Sequence, residues 1–518
     1  VAAKLEVDSG ILQFTPKGAY YEEANEQFKK VYEMWKNLFK FDRTMFCLTM
    51  LLQGTGFSKG MMTHMLLSNP QSKKGTELVP LGLPFDYEKK VILFNLTKER
   101  TPRALKNLLM LAGSEKQKRV NNNRTRKIIL DFIFSRDNKD LDYLAINYKQ
   151  KLRALVKHAL GKYDLKKLLD GDRKIFDKFI GKQNADAFPV VCHIFDKDIS
   201  KYKNFGDSRS LNLMFQKINQ YGKLKEAAKK QDVEKFRTLM KGMPMRTVMG
   251  FRNLYKVPID KAELFEKADM SERESIQMEA AVKKSGAKKE VNYEKQEIYD
   301  LWKSFYFKII TKDNSNLEKI AKAIDNQSKV VPKLNIGECV VVFDASDSMS
   351  GSQERPLHPF LTSLCLISAI DNIKDIIYVG GQQIKVPEIE GMNLVLPKNH
   401  SPLWKGLVEA VISGAKNIIV ISDGYENAIK GMFNHTYKYF KDSGYDFNLI
   451  HLNPVLATDA KTGTSRKLAE DVKPLPVADY KYLETELIFN RMIEQRELVK
   501  QLLVGKYQAL LGEKEVKA

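Results

Sequence analysis

Asp344-Ala345-Ser346-Asp347-Ser348 sets one carboxylate and two hydroxyls at alternate positions, so that all three can point into one pocket. Hard oxygen ligands of this kind suit Mg2+ or Mn2+. The same five residues would also serve as a polar turn capping a helix, so the surrounding chain must decide. Two later loops extend the donor set: Asn399-His400-Ser401-Pro402 offers a hydroxyl at Ser401, and Ser422-Asp423-Gly424 offers a second carboxylate at Asp423. A hydrolytic role for Ser346 would need a His/Asp relay or a G-x-S-x-G elbow. The sequence positions neither around it, and no enzymatic activity is expected.

Such loops need strand ends to hold them. Apolar β-formers at 339–343 run into the first loop, and a second buried-strand pattern at 417–422 runs into Asp423. Between and after them the pattern alternates: helical at 359–370, strand-like at 376–380, helical at 402–412 and 428–441, strand-like at 447–452. That alternation predicts a parallel-rich sheet covered by helices on both faces, with ligands at the carboxyl ends of its strands. A long amphipathic pattern at 482–511 is expected to be helical and to pack back on the sheet or on the preceding half.

The preceding half reads differently. Phe28, Val31, Trp35 and Leu38 fall on one helical stripe, and similar stripes recur at 101–112, 125–135, 144–160, 174–181, 210–228, 233–241 and 293–310. A further helix and polar link at 312–331 is broken by Pro332, which sets the expected boundary between a domain at 1–335 and another at 336–518. Successive amphipathic helices joined by short turns suggest an α-solenoid of divergent HEAT-like pairs. Charge divides along the same line: residues 1–335 carry 65 Lys and Arg against 41 Asp and Glu, a net charge of +24, whereas 336–518 carry 20 against 23. A polyanionic partner for the first half follows. Two basic stretches stand out there, the Asn-rich connector at 115–127 and the segment 243–254, in which Pro244 begins a helix and Arg246 and Arg252 recur near one side.

Among 518 residues, 43% are hydrophobic and 29% charged, and no window of about 18 apolar residues appears, so no membrane span is expected. The first residues have neither a basic n-region nor an apolar h-region, which argues against a signal peptide. Cys47, Cys192, Cys339 and Cys365 are far apart and form no Cys-x-x-Cys pair. A reducing cytoplasm suits them better than a disulfide framework or a zinc site. His64, His193 and His451 sit among apolar neighbours and read as structural.

The order of Asp344, Ser346 and Ser348, then Ser401, then Asp423 resembles the metal-ion-dependent adhesion site of von Willebrand factor A domains. Where that family often has Thr after glycines, this chain has Asn399-His400-Ser401. A basic helical module followed by such a domain is similar to the TROVE family of Ro RNA-binding proteins, as is the segment from Met243-Pro244-Met245 to Arg252-Asn253-Leu254. The resemblance implies a fold of α plus α/β class: a HEAT-like α-solenoid ring followed by a doubly wound von Willebrand A domain. It implies a divalent cation, Mg2+ or Mn2+, held by the five loop residues, with an open position for the acidic group of a protein partner, an exoribonuclease being one candidate. It further implies that structured or misfolded noncoding RNA passes a single-stranded 3′ end through the basic ring while small Y-type RNA binds its outer surface. Arg246 and Arg252 are the expected inner contacts, and Arg119, Arg124, Arg126, Lys127, Lys157, His158 and Lys166 the outer ones. The alternative is a metal-dependent protein-interaction module, or a subunit of a larger assembly, whose basic half docks on an acidic protein without RNA.

Overall fold

The structure, a computed structural model, describes residues 11–13, 24–69, 82–98, 122–181, 184, 187–198, 202, 215–353, 355–386, 394–426, 428–455, 466–492 and 495–512. It is mixed helical, with one five-stranded parallel sheet. The strands of that sheet are β1 (Cys339–Ala345), β2 (Ile373–Gly380), β3 (Asn417–Ile421), β4 (Asn448–Asn453) and β5 (Pro474–Pro476), in the spatial order β2-β1-β3-β4-β5. β5 and two short antiparallel ladders, Gln382–Ile384 with Leu394–Leu396 and Gly351–Ser352 with Arg355–Pro356, are too short to show a strand period in sequence.

Alternation within the strands explains the layering. Val340, Val342, Ile377, Val379, Ile418 and Val420 share a buried cluster with Leu403, Leu407, Phe433 and Phe440, so the helices Leu403–Ile412 and Met432–Asp442 cover one face. Phe343 has the opposite parity. Its ring meets Phe360 edge-on at 5.6 Å, and Phe360 meets Tyr306 at 5.2 Å, which brings the helices His358–Ser368 and Ile298–Ile310 onto the other face.

The chain divides into two compact units. One comprises 1–42, 52–58 and 292–502; the other comprises 43–51, 59–291 and 503–518. The boundary expected at 335 is therefore corrected: the period change at Pro332 marks where strands begin, whereas packing onto the sheet begins earlier. Ile298, Leu301, Phe305 and Tyr306 form the buried face of the Ile298–Ile310 helix, and Tyr306 Oη donates to the Val395 carbonyl at 3.1 Å. N-terminal residues belong to the sheet unit as well. Trp35, fully buried in the Ala24–Phe41 helix, meets the Phe489 ring edge-on at 6.3 Å. The Gln13 side chain donates to the Pro476 carbonyl and to Glu486 Oε1 and accepts from the Ala478 amide. Buried Asp42 takes Arg496 and Lys500 at 2.7 and 3.0 Å.

The second unit is helical in its described residues, with helices that start on side-chain caps: Asn122 on Thr125 N, Asp137 on Asp140 N, Asp172 on Ile175 N, and a Ser271/Glu274 capping box. The stripe at 144–160 lies within a longer helix, Asn138–Leu169, interrupted by non-helical Tyr148 and Gly161. The helix expected at 101–112 lies outside the described residues. Redrawing the units leaves the charge contrast intact. The helical unit has 54 Lys and Arg against 30 Asp and Glu, and the sheet unit 31 against 34. No helix among the described residues is long and apolar enough to cross a membrane.

Candidate metal site and basic surface

β1 is flanked by β2 on one side and β3 on the other, so the chain reverses its direction of strand addition at the carboxyl ends of β1 and β3. Loops diverge there and leave a crevice. The parallel register pairs Phe343 with Ile421, which sets Asp344 and Ser422 side by side just beyond. Ser422 Oγ donates to Asp344 Oδ2 at 2.7 Å, and the Ser346 amide donates to Asp344 Oδ1 at 3.0 Å. The Ser346 and Ser348 hydroxyls lie 3.0 Å apart. His451, fully buried on β4, stands with Nε2 3.0 Å from the Ser422 carbonyl, and burial lowers its pKa to about 4. It is thus a neutral imidazole whose Nε2–H donates and fixes Ser422 from behind.

The middle loop is tied to the first through the backbone. The Asp347 amide donates to the Asn399 carbonyl at 3.0 Å and the Lys398 amide to the Ala345 carbonyl at 2.9 Å. Gly380, at the end of β2, has φ +77°, and a Cβ there would sit 3.3 Å from the His400 carbonyl and 3.4 Å from the Ser346 amide nitrogen. The positive φ favours glycine, and a side chain there would crowd the approach of the three segments. Ser401 is 1% exposed, and its Oγ has no hydrogen-bond partner among the described residues.

Electrostatics single out the same residues. Burial raises the Asp344 carboxyl to about 6, aided by the like charge of Asp423 and opposed by the Ser422 and Ser346 hydrogen bonds. Burial also raises Asp423 to about 6, opposed by the Ser348 hydroxyl and the Arg466 charge. Two desolvated carboxylates that feel each other's charge, with the Ser346 and Ser348 hydroxyls beside them, form an oxygen-only donor set that fits a small divalent cation, and the unpartnered Ser401 hydroxyl stands on the loop tied to them. Among the described residues no group of three or more His, Cys, Asp or Glu side chains is arranged as a metal site, and here hydroxyls make up the number. Ser422, Gly380 and Arg466 were given no role from the sequence, and His451, read there as structural, is structural in a way that bears on the site. Gly380-Gly381 closing a strand and Ser422 preceding Asp423 were the available signals.

The basic residues are dispersed. Arg119 lies outside the described residues. Arg124, Arg126 and Lys127 belong to the first turns of the Asn123–Phe134 helix rather than to a connector. Arg124 joins Arg43 on the buried Glu88 carboxylate, at 3.0 and 2.6 Å. That guanidinium therefore neutralises an internal acid. Arg126 and His158 are half-buried, while Lys127, Lys157 and Lys166 are exposed. Arg246 and Arg252 sit six residues apart on the Met245–Tyr255 helix, about 120° around its axis, so they do not share a side. Arg246 is largely exposed and pairs with Glu274 at 2.6 Å; Arg252 Nε donates to the Ile259 carbonyl at 2.7 Å and closes the turn after the helix. No protein-family model matches the chain, and no curated protein matches it.

Proposed function

We propose that the protein is a non-catalytic binder of structured or misfolded noncoding RNA, of the Ro (TROVE) type, whose helical unit contacts RNA and whose α/β unit, read as a von Willebrand A domain, holds a divalent cation. In this reading the helical unit is a HEAT-like ring and the protein acts in the cytoplasm. One observation carries the RNA half: a net charge of +24 stays with the helical unit when its limits are set by packing, while the unit with the candidate metal site is at −3. Phosphate neutralisation is the favoured use of such an excess, with affinity that falls steeply with salt.

For the metal, Asp344, Ser346, Ser348, Ser401 and Asp423 would be the ligands. When bound, the cation would supply a Lewis-acidic position for a partner's carboxylate. The chain's own groups prepare that position. Ser422 and the Ser346 amide orient Asp344, His451 anchors Ser422, and Arg466 offsets the Asp423 charge from a place over the Tyr425 ring. The Ser346 hydroxyl hydrogen bonds Ser348, which supports a ligand's role over a nucleophile's.

A structured RNA with a free single-stranded 3′ end is expected to shift with purified protein at low salt and to be released as salt rises. Asp344→Ala is expected to abolish Mn2+ binding in calorimetry and leave RNA affinity within about twofold. Absence of RNA binding at low salt sinks the RNA reading and favours the protein-interaction alternative. Unchanged metal stoichiometry in Asp344→Ala removes the site assignment.

A further inference from the structure

Beyond Gly161, where φ +72° interrupts the long helix, the chain resumes helical turns through Leu169. At about 100° per residue, Lys162, Lys166, Tyr163 and Lys167 fall within an arc of about 140°. Leu168, fully buried, is on the opposite side, and Asp164 stands about 60° past the arc's edge. Lys162 and Lys166 are exposed, Tyr163 is 69% exposed, and Lys167 Nζ lies 4.5 Å from its ring centroid. Lysines near a helix C-terminus have a structural use against the helix dipole. The Tyr163 ring, left mostly in water, gains little from folding beyond its contact with Lys167. Unpaired nucleotides present what this face matches: a π-face for the tyrosine and a phosphate on either side for ammonium groups. Duplex bases are stacked inside the helix and cannot offer it.

We propose that Tyr163, flanked by Lys162, Lys166 and Lys167, is a stacking platform for an unpaired base of single-stranded RNA. This rests on the RNA reading above and assigns it a base-contacting residue.

The test uses the full chain, fluorescein-labelled decauridylate read by anisotropy, and inorganic polyphosphate as a competitor that has charge and no bases. Tyr163→Ala is expected to weaken decauridylate binding about tenfold with an unchanged salt slope and unchanged polyphosphate competition, and Tyr163→Phe to retain wild-type affinity. Photo-crosslinking of 5-iodouridine RNA to Tyr163 would add support. Wild-type affinity in Tyr163→Ala overturns the platform and leaves the RNA reading standing. Equal losses for decauridylate and polyphosphate also overturn it, since charge alone would then be at work, as does a Tyr163→Ala defect confined to a polyglutamate peptide, which assigns the face to an acidic protein. Failure of the wild-type chain to bind either decauridylate or structured RNA at low salt is the separate failure of the RNA reading, and the platform falls with it.

Discussion

Asp344 and Asp423 are both removed from water and both raised to about 6, so without a cation each holds its proton to higher pH in the folded state than in the unfolded chain. A carboxyl raised above its unfolded value of about 4 lends stability that is fully present below pH 4 and is lost as pH rises through about 6. The midpoint of thermal unfolding in EDTA should therefore fall between pH 4.5 and 7.5. Asp344→Asn should flatten that fall and be more stable at pH 7.5 by on the order of 2 kcal/mol, measured by denaturant titration. Mn2+ affinity in the wild type should rise over the same interval, because binding must displace those protons. Ser401 gives a complementary result. Its buried Oγ lacks a partner, so Ser401→Ala should leave metal-free stability unchanged or slightly higher while weakening Mn2+ binding about tenfold by calorimetry.

Elements bring these residues together through positions that have no side chain. A Cβ on Gly406, in the Leu403–Ile412 helix, would lie 2.6 Å from Val342 Cγ1 and 2.7 Å from Val379 Cγ2, so that helix seats on β1 and β2 only with glycine there. Gly406→Ala should cost about 2 kcal/mol in chemical denaturation and weaken Mn2+ binding indirectly. The main strands and their covering helices were legible because 339–343 and 417–422 are continuous apolar runs between helical periods. The candidate donors were legible as loop residues at strand ends, where the structure does place Asp344 and Asp423. What escaped was pairwise. That Arg124 meets Glu88, that Arg252 turns back to Ile259, and that the Ile298–Ile310 helix packs on the sheet are contacts between segments distant in sequence or folded back on themselves, and periodicity does not encode them. Arg124→Ala should thus act on stability, lowering it by about 2 kcal/mol as Glu88 keeps Arg43 alone, with a smaller effect on RNA affinity than Lys157→Ala or Lys166→Ala.

At the scale of the molecule the two units divide charge, and the division sets how each should respond to solution conditions. RNA affinity should decline linearly on a logarithmic salt scale. Arg246→Ala, which leaves Glu274 its bonds to Ser271, should reduce the slope by about one and weaken all sequences alike, measured by anisotropy at 50 to 300 mM salt. Affinity for the proposed cation should change less over that range, since Asp344, Ser346, Ser401 and Asp423 are buried, where mobile ions screen charge less.

Trp35 and Phe489, which touch, are separated by most of the chain, and so are Gln13 and Glu486. At bacterial or eukaryotic elongation rates, the Ala24–Phe41 helix waits about 20 to 90 s on the ribosome before its partner residues exist. Trp35 lacks its Phe489 contact for that whole interval, and the helical unit, whose last segment is 503–518, is completed later still. A chain truncated before residue 483 lacks both partners and should be degraded faster than the full chain, as read by pulse-chase.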